Sequence, residues 1–278
     1  MKRGRGLVRL GAAVLALWPV ALAGWLGAGI ARRRLARPER VRATLAAVGI
    51  DPRGRRVACH SVGHGNANAV VAVTLDNDTR LVLKHSLAFG TFLGWASRGF
   101  GVMCMYPRAM GRTARYRREV RALAELRSAG IPTPRCLGAN ARARVLALEW
   151  IEGRDLAVEV ARRPALAGEL GRLLARIHAL GFALGDANPR NFAVTAGDRI
   201  VPFDLETALP NATSAQQGFD LAWAAAFLPD ELARARMFAA YGARSPELDA
   251  GVAAAAAHLA GYWPLVDLFA KRWREAPA

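Results

Sequence analysis

Two short apolar runs that contain β-branched residues, joined by a polar turn, restrict the fold more than any other feature of this sequence. Residues 70–75 predict a strand, residues 76–78 a turn of Asp, Asn and Asp, and residues 80–84 a returning strand. A strand that returns after so short a turn belongs to a hairpin sheet and not to a βαβ unit. The folded part of the chain is therefore expected to begin with antiparallel strands.

The remainder of the chain changes from strands to helices. Residues 112–129 predict a helix, and residues 145–151 predict a further strand. Helical spacing of apolar residues then dominates, at residues 166–177, 219–228, 231–241 and 246–260. This order predicts an α+β fold with a small sheet lobe at residues 57–148 and a larger helical lobe at residues 149–278. Apolar residues make up 53% of the chain, which argues against disorder.

An uncharged stretch of 21 residues, 10–30, precedes this domain. As a helix it would span roughly 31 Å, close to the thickness of a bilayer core. A cleaved signal peptide is an alternative, because residues 21–23 read Ala-Leu-Ala. The apolar run continues past that point and stops only at the arginines of residues 32–34. We therefore expect an uncleaved membrane anchor within residues 1–42, with an interfacial helix as a third interpretation.

Charge supports the same interpretation. Residues 1–58 carry thirteen Lys or Arg and two acids, so they hold +11 of the net charge of +17. A basic excess that flanks an apolar run is typical of contact with anionic lipid headgroups, whereas a nucleic-acid binder would spread its charge over the fold. The C-terminal flank is the more basic, which places the main domain in the cytoplasm. The expected location is a bacterial-type inner membrane, crossed once.

The cysteines exclude two other classes of protein. The chain has three cysteines, an odd number without a CxxC pair. A disulfide framework and a zinc site are therefore not expected. Free thiols in a reducing compartment are the simpler interpretation.

The central chemical motif is a loop in which Asp186 is followed five residues later by Asn191. This spacing matches the catalytic loop of kinases, in which the aspartate accepts a hydroxyl proton and the asparagine oxygen ligates Mg²⁺. Alone the pattern is weak, since Asp and Asn are common in loops. A second carboxylate, Asp204, ends the apolar run of residues 200–203 and is suited to hold Mg²⁺ across the phosphates. The order loop, strand, turn, strand, acid makes the pair more specific than either motif.

A glycine-containing segment lies upstream. Gly63 and Gly65 begin a pattern close to G-x-G-x-x-G-x-V, with Asn68 in place of the third glycine and Val70 as its valine. Backbone N–H groups of such a loop can cover phosphate oxygens, and asparagine tolerates the left-handed backbone of the turn. By itself a G-x-G is usually only a hairpin turn.

Two further charged residues complete the set. Lys84 ends the returning strand beside apolar residues and could reach the phosphates as a point charge. Glu119 shares a helix face with Leu123 and Leu126, and a carboxylate on an apolar face needs a partner, which Lys84 can supply. Glu125 instead points away and is expected to pair with Arg121 in solvent.

Together these motifs resemble the protein-kinase-like superfamily over residues 57–225. The resemblance is strongest from Leu173-Leu174-Ala175-Arg176-Ile177-His178 through Asp186 and Asn191, and in Phe203-Asp204. It implies a bilobal fold and an ATP- and Mg²⁺-dependent phosphotransferase. In this resemblance Gly63 and Gly65 cover ATP, Lys84 pairs with Glu119, Asp186 is the base, and Asn191 and Asp204 ligate the metal. The segment 149–153 is similar to the hinge that receives adenine, with Glu149 and Ile151 as contacts, and Asp220 is similar to the acid that braces the catalytic loop.

Three departures from the family pattern narrow the kind of kinase that the chain resembles. Leu184 replaces the usual histidine of the loop, Asp204 is followed by Leu205-Glu206, and no A-P-E motif appears. These features look more like choline- or homoserine-kinase-type enzymes than regulated protein kinases. The segment 115–134 is similar to lipopolysaccharide-core and Kdo kinases and to the Bud and RIO groups.

The expected function is phosphorylation of a hydroxyl on a lipid- or envelope-linked acceptor. A Ser/Thr protein kinase and a non-catalytic nucleotide-binding scaffold are the alternatives. An aromatic insertion at residues 86–111 is either extra core or a flap that contacts membrane or acceptor.

Overall fold

The computed structural model describes residues 27, 29–62, 68–76, 78–87, 111–242, 245–257 and 259. These residues group into two compact units. Within the described ranges the first unit contains residues 27–87, 111–116 and 137–149, and the second contains residues 117–136 and 150–259. The boundaries of the two functional lobes stay a prediction.

The first unit is built on an antiparallel sheet. Its described strands stand in the order β1-β2-β3-β5-β4. They are β1 (Val57–Val62), β2 (Asn68–Leu75), β3 (Arg80–Ser86), β4 (Cys136–Asn140) and β5 (Val145–Glu149). The strands β2 and β3 pair antiparallel, as the hairpin pattern predicts, with Val70 opposite Lys84. Cys59 and Cys136 are free thiols, and Cys104 lies outside the described residues.

A helix covers one face of this sheet. The helix α1 (Pro38–Ala47) buries Val41 and Leu45 completely among apolar residues of β2, β3 and β5. Residues 38–42, which the charge pattern assigned to a flank of the anchor, are therefore part of a folded helix. At the end of α1 the chain passes so close to β4 that a Cβ on Gly138 would lie 2.2 Å from the carbonyl oxygen of Val48. Only a glycine fits there.

The second unit is mainly helical, as the apolar spacing predicts. Most of α2 (Arg112–Ser128) groups with it, and Gly130, two residues beyond the end of α2, has a φ of 78°. The other helices with defined bounds are α3 (Leu156–Arg162), α4 (Ala165–Ala179), α5 (Ser214–Ala226) and α6 (Glu231–Tyr241). Residues 246–257 are also helical. The helices α4 and α6 touch so closely that a Cβ on Gly171 would lie 2.1 Å from the carbonyl oxygen of Met237.

A small sheet lies among these helices. Its described strands are β6 (Arg154–Asp155), β7 (Phe192–Val194) and β8 (Ile200–Pro202), in that order and antiparallel. The apolar residues of β7 and β8 are buried, so the hairpin has little freedom to shift its register. This hairpin is the strand, turn and strand predicted between Asp186 and Asp204.

Among the described residues, no helix combines the length and the apolar character that a membrane crossing requires. Of the predicted span at 10–30, only residues 27, 29 and 30 are described. Of the insertion at 86–111, only residues 86, 87 and 111 are described. The anchor and the flap therefore stay predictions.

Candidate active site

A buried aspartate fixes the backbone of the loop that carries Asp186. The carboxylate of Asp220, on α5, is fully buried and accepts hydrogen bonds from the backbone N–H groups of Leu184 and Gly185, the latter at 2.7 Å. The hydroxyl of Thr207 donates to the carbonyl oxygen of Leu184 at 2.7 Å. Gly185 has a φ of 72°, a conformation that glycine adopts without strain. The two residues before Asp186 are therefore held by their backbone polar groups.

Asp220 also contacts a buried histidine. His178 Nε2 lies 3.3 Å from Asp220 Oδ2, and His178 Nδ1 lies 2.9 Å from the hydroxyl of Tyr241. Burial, and secondarily the charge of Asp220, raises the pKa of Tyr241 to about 12. The tyrosine therefore stays protonated at neutral pH. This chain of contacts joins α4, α5 and α6 behind the loop.

Asp186 itself is half-buried and has a partner that its motif does not reveal. The indole Nε1–H of Trp223 donates to Asp186 Oδ1 at 2.8 Å. The amide nitrogen of Asn191 donates to the backbone carbonyl oxygen of Asp186 at 3.0 Å. A short 3₁₀ turn, Pro189–Asn191, lies between the two and is capped by Asn188, whose Oδ1 accepts from the N–H of Arg190 at 3.0 Å. The loop therefore brings Asp186 and Asn191 together.

The hairpin of β7 and β8 brings Asp204 to the same end of the loop. Phe192 is paired with Pro202 in register, and the N–H of Phe203 donates to the carbonyl oxygen of Asn191 at 3.1 Å. Asp204 follows Phe203 directly and is half-buried. This backbone hydrogen bond thus keeps Asp204 close to Asn191, as the order of the motifs predicts.

The donor atoms at this point suit a magnesium ion that is shared with phosphates. Because the amide nitrogen of Asn191 is engaged with Asp186, its oxygen is the atom left for a ligand, and Asp204 adds a carboxylate. Oxygen ligands of this kind, few in number and completed by phosphate and water, are what Mg²⁺ prefers. In the described part of the chain no three His, Cys, Asp or Glu side chains form a metal cluster, so a dedicated protein cage is not present there.

Two of the predicted nucleotide residues, Lys84 and Asn68, lie in strands of the first unit. Lys84 is only 6% exposed, so it is not an ordinary solvated lysine at a strand end. Asn68 is the first residue of β2, opposite Ser86, and its Oδ1 accepts from Arg115 at 3.3 Å. The prediction of a left-handed turn at Asn68 is therefore wrong: it is a buried strand residue that bonds a buried arginine. Gly63 and Gly65 lie outside the described residues.

The remaining predicted residues are placed separately. Glu119 is 1% exposed and shares its buried helix face with Leu123 and Leu126, which confirms the predicted face. Its ion pair with Lys84 stays a prediction, since the two residues belong to different units. Glu149 is the half-buried last residue of β5, and Ile151 is half-buried just beyond it.

A surface pair of α2 also behaves as predicted. Arg121 Nε lies 2.5 Å from Glu125 Oε1, and both side chains are exposed. Such a pair adds little to stability. Of the two acids Glu119 and Glu125, Glu119 is therefore the buried one.

This fold and this loop are typical of the protein-kinase-like superfamily. Residues 58–264 match the profile of the Phosphotransferase enzyme family, APH. The match covers most of the chain, so the chain belongs to this family.

The chain is also similar to solved structures. The apoenzyme of macrolide 2′-phosphotransferase MphH from Brachybacterium faecium is 16% identical, with a TM-score of 0.52 over 85% of this chain and 93% of that one. Rio2 kinase from Chaetomium thermophilum, solved as an ADP/Mg²⁺-phosphoaspartate complex, is 15% identical with a TM-score of 0.47, over 80% of this chain and 73% of that one. The first likeness confirms a kinase-like α+β fold.

A curated relative matches over a shorter segment. It is the probable bifunctional tRNA threonylcarbamoyladenosine biosynthesis protein of Natronomonas pharaonis, 36% identical over 83 residues. The matched segment is 30% of this chain and spans only 15% of that relative.

Proposed function

We propose that this phosphotransferase is an ATP-dependent kinase that phosphorylates a hydroxyl of a lipid- or envelope-linked acceptor at a membrane. The observation that carries the proposal is the arrangement of Asp186, Asn191 and the Phe203–Asp204 backbone around one loop. Family membership alone does not identify the nucleotide, the metal or the acceptor class.

In the proposed mechanism the chain acts mainly by positioning. Asp186 orients the acceptor hydroxyl and accepts its proton, while the bonds to Asp220 keep the loop from moving. By the family resemblance, Lys84 would hold the phosphates of ATP, Gly63 and Gly65 would cover them, and Glu149 and Ile151 would receive the adenine. Mg²⁺ held by Asn191 and Asp204 would neutralise charge on the phosphates.

The N-terminal segment supports the proposed acceptor class. The apolar run of residues 10–30 is followed by arginines at 32–34, and residues 29–35 are helical. That helix leads within a few residues to Val41, a core residue of the first unit. If residues 10–30 lie in a bilayer, the segment between them and Val41 is too short to carry the first unit far from the lipid surface. A kinase held there meets acceptors that are themselves in the membrane.

The direct test is transfer of label from γ-labelled ATP. The full chain, purified in detergent, is incubated with Mg²⁺-ATP and a fractionated bacterial envelope extract. We expect label in the lipid or glycan fraction, and we expect Asp186→Ala to abolish it without weakening ATP binding. Asp198→Ala is the matched control, because Asp198 is an exposed aspartate in the turn between β7 and β8.

The other outcomes are equally informative. Label in the protein fraction alone would indicate a Ser/Thr protein kinase. ATP binding with no label in any fraction would indicate a non-catalytic scaffold. Unchanged transfer by Asp186→Ala would refute the role of the loop.

A further inference from the structure

Helix α5 contacts the catalytic loop at two points. Asp220 bonds the backbone N–H groups of Leu184 and Gly185, and Trp223, three residues later on the same face of α5, bonds the side chain of Asp186. Residues three apart on a helix lie one above the other. A single rigid element therefore fixes both the backbone of the loop and the carboxylate that the loop presents.

The indole of Trp223 is itself held between aromatic neighbours. Its ring stacks on Phe219, with centroids 5.7 Å apart and planes 16° apart, and meets the edge of Phe227 at 5.1 Å and 70°. Phe219 is fully buried, so it cannot rotate away. Such aromatic pairs prefer stacked and edge-to-face geometries of this kind over other arrangements. The N–H of the indole is thus aimed at Asp186 by packing along its own helix.

The chemistry of the indole limits what this contact can do. An indole N–H donates one hydrogen bond and accepts no proton at the pH of a kinase reaction. Its bond to a carboxylate is charge-assisted, and it fixes the plane of the carboxylate about the Cβ–Cγ bond. Trp223 therefore offers orientation to Asp186 and takes no part in proton transfer.

We propose that Trp223 is a positioning residue that holds the carboxylate of Asp186 in the orientation needed to receive the acceptor hydroxyl. This inference rests on the proposed function, in which Asp186 orients that hydroxyl. A small misplacement of a reacting group lowers the rate by up to about 100-fold. Loss of the indole N–H is therefore expected to lower kcat by about 10- to 100-fold while the KM for ATP changes less than about twofold.

The contact can be measured without any acceptor. The full chain in detergent, labelled with ¹⁵N, has seven tryptophans and hence seven indole N–H signals, and Trp223→Phe identifies the one from residue 223. We expect Asp186→Ala to move that signal and the control Asp198→Ala to leave it in place. A signal that stays unmoved in Asp186→Ala overturns the inference.

The functional role is measured by kcat and by the KM for ATP of phosphate transfer to the envelope fraction. Trp223→Phe keeps an aromatic ring between Phe219 and Phe227 but removes the donor, whereas Phe227→Leu alters the packing and keeps the donor. We expect Trp223→Phe to lower kcat with little change in the KM for ATP, because the orientation of Asp186 affects phosphate transfer and not nucleotide binding. Phe227→Leu should retain most of the activity.

A merely structural tryptophan would behave differently. Its replacement would raise the KM for ATP and lower Tm together with kcat, and Phe227→Leu would do the same; this outcome overturns the inference. Wild-type activity in Trp223→Phe also overturns it and leaves the proposed function intact. Absence of transfer by the wild-type chain refutes the proposed function, and the role of Trp223 with it.

Discussion

The carboxylate of Asp220 is fully buried and is surrounded by hydrogen-bond donors. Two backbone N–H groups and the ring of His178 surround its oxygens, so the cost of removing the charge from water is offset by charge-assisted bonds. Since those N–H groups belong to the residues just before Asp186, the same bonds fix the loop. At the scale of single residues, stability and site geometry depend on the same atoms.

The buried side chain of His85 allows a test of how burial changes the pKa of a single residue. It is 8% exposed on β3, its Nε2 has no hydrogen-bond partner among the described residues, and it lines a small cavity with Arg40 and Asn140. Burial away from water lowers its pKa from 6.5 to about 4. The unfolded chain therefore binds a proton below about pH 6.5, whereas the folded chain does not until about pH 4.

We accordingly expect the free energy of unfolding to fall as the pH drops from 6.5 to 4. The part due to His85 is at most about 3 kcal/mol, at 1.36 kcal/mol per pH unit. Denaturant unfolding of His85→Gln at pH values across this window should show a flatter curve than the wild type. His60→Gln, at an exposed position of β1, should leave the curve unchanged. Parallel curves for His85→Gln and the wild type would contradict the prediction.

The residues that sequence reasoning missed share one property. Asp186, Asn191 and Asp204 stand in a local motif with fixed spacing, so their proximity in the structure was predictable. Trp223 and Tyr241 act through contacts that span 37 and 63 residues along the chain, and no local pattern reports such a distance. Only the packing of α4, α5 and α6 brings them to the loop.

At the scale of elements, helix α1 shows how charge can conceal structure. Arg37, Arg40 and Arg42 suggest a flank of the anchor, yet Val41 and Leu45 on the same segment are buried against the sheet. The strands of the hairpin and the later helices were predicted because their apolar periodicity is not interrupted in this way. Strand β6 has two residues, too few to show any period.

The contact between α4 and α6 permits a matched pair of substitutions. Both Gly168 and Gly171 lie inside α4, where alanine is favoured by roughly 0.5–1 kcal/mol. A Cβ at 168 would make an ordinary contact, 3.6 Å from the Cβ of Ala240, whereas one at 171 would meet the carbonyl oxygen of Met237 at 2.1 Å. We expect Gly168→Ala to be neutral or to raise Tm, and Gly171→Ala to lower the free energy of unfolding by about 1–3 kcal/mol or more through overpacking.

Thermal and denaturant unfolding of the two variants check this prediction. Because both substitutions add the same methyl group to the same helix, any difference in helix propensity cancels between them. Equal stability of Gly168→Ala and Gly171→Ala would show that α6 moves away at little cost, contrary to the close approach of the two helices.

At the scale of the whole molecule, charge is concentrated at one end of the chain. The first 58 residues carry +11 of the net charge of +17. The other 220 residues, which include the active-site loop, carry +6. If residues 10–30 anchor the chain, we expect these charges to attract an anionic lipid surface within about one Debye length, roughly 8–10 Å.

Membrane attachment provides the last prediction. Two aspartates in the apolar run, Leu17→Asp and Leu22→Asp together, cost about 2.5–3.5 kcal/mol each at the centre of a bilayer. We expect the wild-type chain to stay in the membrane pellet after carbonate washing and the double variant to be released. As a control, Leu180→Asp and Leu232→Asp together place the same charges at exposed leucines of the second unit, and this variant should stay in the pellet.

The same experiment separates the three interpretations of residues 10–30. An anchor resists carbonate and keeps the full mass of 29.8 kDa. An interfacial helix is released from wild-type membranes by carbonate, because its polar face never leaves the headgroup region. A cleaved signal peptide shortens the mature chain by about the first 23 residues, as expected for a small-residue cleavage site, and mass spectrometry of the purified protein detects the loss. Either of the last two results removes the reason to look for the acceptor in the membrane, while the phosphotransferase fold and the loop around Asp186 are unaffected.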